Sequence, residues 1–117
     1  MSENIPRELV ILWTDRDRDV ALNMVFMYLA NATKKKWWDT VTLIVWGPSA
    51  QLAGTDEEIR SGITQLRAAG VQVLACRTCA DLYGVTTDLE RLGIEVIFMG
   101  EPLTRFLKSP SHQVLTF

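Results

Sequence analysis

Five short apolar runs that scarcely alternate with polar residues constrain this chain more than any other feature. They fall at residues 9–13, 41–46, 71–75, 94–98 and 114–117 and are rich in Val, Ile and Leu. A strand wet on one face alternates; a run that does not is buried on both, as in a parallel sheet covered by helices. Helical patterns fill the intervals, and strand–helix alternation at this spacing is the βαβ pattern. The expected architecture is α/β: a three-layer α/β/α sandwich with a mainly parallel five-stranded sheet, one domain over residues 1–117.

One long helix is expected over residues 17–35. At ~100° per residue, Val20, Ala21, Met24, Val25, Tyr28 and Ala32 share a broad face suited to packing on the sheet. Leu22, Phe26 and Leu29 form a second apolar stripe, which calls for an interface with another copy of the chain. Residues 56–69 read as a helix with Thr55 or Asp56 as N-cap and Gly70 just past its end. Shorter helices are expected from Cys76 to about Gly84, from Thr86 or Thr87 to Leu92, and from Pro102 to Lys108.

Composition excludes several classes. Lys and Arg number 12 against 14 Asp and Glu, a net charge of −2, and the one basic run, Lys34-Lys35-Lys36, sits at a helix end. That argues against nucleic acid as a partner. No apolar stretch approaches the ~18–20 residues that span a bilayer, and the first eight residues lack the basic and apolar character of a signal peptide. A cytoplasmic protein away from membranes is expected. Two cysteines are too few for a disulfide scaffold.

Sites in open parallel sheets form beyond the carboxyl ends of strands. Neither dinucleotide nor P-loop glycine motifs occur there. Asp15, Arg16, Asp17, Arg18 and Asp19 read as a solvated helix start, although Asp15, like Ser49 after the second run, has the position of a binding residue. His112 reads as an exposed loop residue. A receiver-type phospho-acceptor site would need an aspartate after the third run, where this chain has Cys76.

Cys76-Arg77-Thr78-Cys79 is the candidate site. A thiol between a strand end and a helix start meets unpaired N–H groups, and Arg77 is placed to add positive charge. The same two cysteines also suit a redox pair, half of a zinc site, or simple packing.

The segment 70–85, an apolar strand followed by Cys76 and by Gly84 eight residues later, resembles the central segment of the DsrE/DsrF-like family, which includes sulfur-relay and YchN-like proteins. The resemblance extends to the first strand, to Trp46-Gly47-Pro48-Ser49 and to the closing residues 113–117. It implies an α/β/α fold, assembly as trimers, hexamers or dimers, and a persulfide carried on Cys76. Cys79 departs from the sulfur-relay members, which often lack it. On this reading Cys76 takes and passes sulfur, Arg77 and the N–H groups of Thr78 and Cys79 hold negative charge, and protein donors and acceptors replace any metal or cofactor. The alternatives are a thiol–disulfide redox protein with Cys79 resolving, or a non-catalytic assembly or small-ligand-binding module.

Overall fold

The computed structural model describes residues 5–117. Five strands, β1 (Glu8–Trp13), β2 (Thr40–Val45), β3 (Gln72–Cys76), β4 (Glu95–Ile97) and β5 (His112–Thr116), form one sheet in the order β4-β3-β2-β1-β5. Every neighbouring pair is parallel. β1, β2 and β3 lie where the apolar runs put them because burial on both faces is what those runs encode, whereas the edge strand β5 has no buried residue and Leu115 is 42% exposed, which corrects that expectation for the last run.

The winding explains the layers. From β1 to β4 the chain moves steadily one way across the sheet, and right-handed crossovers keep the intervening helices on one face. These are α1 (Arg18–Val20), a π-helical stretch (Ala21–Phe26), α2 (Met27–Lys34), α3 (Ser49–Thr55), α4 (Glu57–Ala68), α5 (Arg77–Leu82) and α6 (Thr86–Arg91). The last connection returns past β1 to β5, so its helix α7 (Gly100–Lys108) lies on the opposite face. The first face buries Leu9, Ile11, Trp13, Leu43 and Val45 under Ala21, Val25, Leu29, Ile59 and Ile63. The second buries Val10, Leu12, Ile44, Leu74 and Cys76 under Met99 and Leu103. Each large aliphatic side chain fully withdrawn from water contributes about 1.5–3 kcal/mol.

The helix expected over 17–35 is present but is not a uniform α-helix. A π turn takes about one extra residue and advances the phase of everything after it. Ala21, then both Val25 and Phe26, then Leu29 and Ala32 therefore turn to the core, while Met24 is 49% exposed. This corrects two expectations: Met24 is off the sheet face, and Phe26 and Leu29 are spent within the chain's own core. The Phe26 ring meets Trp13 edge-on at 5.4 Å. It also fills the space over Gly62, where a Cβ would stand 2.8 Å from Phe26 Cδ2. Tyr28 and Trp38 close the lower end through a Trp38 Nε1 bond to the Tyr28 hydroxyl.

Two other elements differ from expectation. Residues 49–55 form helix α3, buried through Ser49, Ala50, Ala53 and Gly54. Its small residues pack closely without forming a large apolar stripe. His112 is the first residue of β5 and is not an exposed loop residue. Its Nδ1 lies 2.7 Å from Ser109 Oγ, its Nε2 lies 3.4 Å from Glu8 Oε2, and its ring packs on Phe106. Partners at the start of β1 and the end of α7 draw it in.

No helix among the described residues is long and apolar enough to cross a membrane.

Candidate functional site

Cys76 is the last residue of β3 and the N-cap of α5, with extended backbone (φ −71°, ψ 119°). That geometry turns its side chain back over the first turn, where Sγ accepts the Cys79 N–H at 3.4 Å. A thiol can take the role usually filled by Ser or Asp because sulfur is also a hydrogen-bond acceptor, though a weak one. Cys76 is 6% exposed and belongs to the layer that α7 alone covers, beside Met99.

Cys79 is half-buried and packs against the cores of both sheet faces, at the sheet's end. Its Sγ accepts the Gly47 N–H at 3.2 Å. Gly47 follows β2, whose Val45 is in register with Ala75 of β3, so the two strand ends deliver these groups to one place. The turn requires φ +73° at Gly47, a conformation glycine adopts without strain. Burial pushes the Cys79 thiol up, and its interaction with Cys76 adds to the rise; the Gly47 N–H offsets part of it. Both cysteines are free thiols.

The other sequence candidates separate. The Arg77 guanidinium reaches the Val96 carbonyl at 3.3 Å and Glu90 at 3.6 Å, bracing α5 against β4 and α6. Its hydrogen bond and ion pair go to these two acceptors and not to Cys76. Thr78 is exposed on the first turn of α5, and of the two N–H groups expected to serve the sulfur, that of Cys79 makes the bond. Ser49 is fully buried, with its hydroxyl bonded to the Trp13 carbonyl at 2.6 Å. Its N–H donates to Thr14 O at 3.0 Å, so Ser49 clamps the ends of β1 and β2 from a fully buried position.

Asp15 is exposed and accepts the Asp17 N–H, and Asp17 in turn caps α1 through Asp19 and Val20. The acidic cluster is thus a helix start, as its sequence suggests. Asp15 does line a cleft of about 430 Å3 with Thr14, Arg16, Pro48 and Tyr83, and that cleft includes neither cysteine. Among the described residues, no group of three or more His, Cys, Asp or Glu side chains is placed to hold a metal ion. The Gly47 N–H is the contributor that sequence reasoning missed. The Gly47-Pro48 strand stop was visible, but its pairing with Cys79 depends on strand order.

An all-parallel sheet of this order covered by helices on both faces defines a three-layer α/β/α protein, here with one free thiol at the end of β3 and another in α5. Residue-level similarity makes the relationship narrower. A conserved protein of unknown function from Bacteroides thetaiotaomicron, BT1422, is 35% identical to this chain, with a TM-score of 0.91 over 100% of this chain and 98% of that one. The chain belongs to the family of that Bacteroides protein. The ychN protein from E. coli shares the fold at a TM-score of 0.68 and 21% identity, over 97% of this chain and 100% of that one. No protein-family model matches the chain, and no curated protein matches it.

Proposed function

We propose that this protein is a sulfur carrier that accepts sulfane sulfur as a persulfide on Cys76 and hands it to an acceptor thiol. The observation that carries the reading is the Cys79 N–H directed at Cys76 Sγ from 3.4 Å, at a strand end where a second free thiol stands alongside. An N–H so placed stabilises charge on the attacking sulfur and on the persulfide that replaces it. In the loading step, Cys76 thiolate attacks the outer sulfur of a donor persulfide. The Cys76 S–S bond forms, the donor S–S bond breaks, and the donor leaves as a thiolate. Transfer to an acceptor repeats the exchange with the roles reversed. A cytoplasmic, reducing setting keeps both thiols available.

Protein donors and acceptors fit the apolar side chains around these strand ends. Trp46 follows β2, and Phe98, 70% exposed, follows β4. The expected homo-oligomer remains part of this reading. With Phe26 and Leu29 buried and Leu22 half-buried, Met24 and Met27 are the large exposed apolar side chains of that helix left to meet a second copy. Neither metal nor cofactor is needed for the exchange.

The two adjacent thiols also favour a second reading, thiol–disulfide exchange between Cys76 and Cys79. Cyanolysis separates the two. Protein treated with a persulfide donor and freed of excess should release thiocyanate with cyanide, and Cys76→Ser should release almost none. Equal thiocyanate from Cys76→Ser and from Cys79→Ser, which keeps Cys76 and cannot close a disulfide, would remove the carrier reading.

A further inference from the structure

We infer that Cys79 discharges sulfur held on Cys76, attacking the inner sulfur of the Cys76 persulfide so that a Cys76–Cys79 disulfide forms and sulfide leaves. The inference rests on the sulfur-carrier reading and extends it to a second reaction of the same site: release of inorganic sulfide in the absence of an acceptor thiol.

Placement carries the argument. The two thiols lie three residues apart, on the last residue of β3 and in the first turn of α5, and Cys79 packs against the cluster that contains Cys76. The Cys79 N–H bond to Cys76 Sγ holds the first turn closed, which keeps the attacking and receiving residues together. The Gly47 N–H lies 3.2 Å from Cys79 Sγ and stabilises the thiolate that must form before attack. Holding both reactants in one turn replaces a bimolecular encounter with an intramolecular one.

The atoms and electrons balance without another reactant. Cys76–S–SH and Cys79–SH become Cys76–S–S–Cys79 and H2S; the outer sulfur is reduced to sulfide and the two cysteine sulfurs are oxidised to the disulfide. The Cys79 proton leaves with the sulfide. Burial pushes the Cys79 thiol up, so discharge should quicken as pH rises. At neutral pH the persulfide is thereby given time to reach an acceptor.

The test uses the whole chain without oxygen and without added thiol. Wild type and Cys79→Ser are mixed with cysteine hydropersulfide and desalted, then followed for released sulfide and intact mass. Serine retains an oxygen that can accept the Gly47 N–H. Wild type should release about one sulfide for each sulfur bound and end two hydrogens lighter than the dithiol, faster at higher pH. Cys79→Ser should hold its sulfur on the order of tenfold longer. A wild type that keeps its persulfide as long as Cys79→Ser, or that ends with the sulfur on Cys79, overturns the inference while leaving sulfur carriage standing. A Cys79→Ser protein that never acquires sulfur overturns the carrier reading and this inference with it.

Discussion

The backbone N–H of Gly47 donates to Cys79 Sγ at 3.2 Å, joining the turn after β2 to a thiol carried by the helix after β3. Two strand ends thus build one sulfur site, and its properties depend on residues that are distant in sequence. Alkylation should reveal this. In Cys76→Ser the burial that dominates the rise at Cys79 remains, so its iodoacetamide reactivity should climb only at pH values above those for free cysteine. A reactivity curve at or below that of free cysteine would show that Cys79 is less enclosed than its packing implies.

Phe26 and Gly62 should behave as a coupled pair. Gly62→Ala sets a methyl 2.8 Å from a ring that Trp13 already holds in place, and overpacking of this kind costs about 1–3 kcal/mol. Urea unfolding should show that loss, and Phe26→Leu in the same chain should recover part of it. Simple addition of the two single costs would contradict the contact.

Exposed apolar residues on the same helix should act differently. Met27→Glu should lower the assembly mass in light scattering with little change in the unfolding midpoint, because Met27 is 53% exposed. Phe26→Glu should unfold the chain. Wild type measured as a monomer at micromolar concentration would remove the oligomer from the account.

The contrast between these substitutions shows where the sequence was legible. The three central strands were readable because double-sided burial demands continuous apolar runs, and the cap of α4 was readable to within Thr55 or Asp56, of which Asp56 bonds the nearby Ile59 N–H. The π turn was not, because a fixed 100° step assigns Met24 inward and Phe26 outward. Helix α3 was hidden by its small residues. At the candidate site, the placement of Cys76 at a strand end and of Cys79 in the following helix was legible from the sequence pattern. The partners of Arg77, Glu90 and the Val96 carbonyl, were not legible because they lie beyond its local sequence. His112 depended on Glu8 at the far end of the chain.

Acid should weaken the start of α4 through Asp56. A hydrogen bond from Arg18 and the Ile59 N–H hold its carboxyl below the usual carboxylate range. A depressed folded-state pKa adds stability above the unfolded-state value, and that stability is lost as pH falls through the folded-state value. Wild type should therefore exceed Asp56→Asn in stability at neutral pH and converge with it in acid, while Asp56→Ala should cost about 1 kcal/mol more broadly as a lost cap. A gap between wild type and Asp56→Asn that widens in acid would contradict this sign.

The most direct measurement is peptide mapping of Cys76→Ser and Cys79→Ser by mass spectrometry immediately after exposure to a persulfide donor. The account predicts one added sulfur atom on the Cys76 peptide of Cys79→Ser and none on Cys79 of Cys76→Ser. Equal loading of the two variants, or loading confined to Cys79, would contradict Cys76 as the carrier.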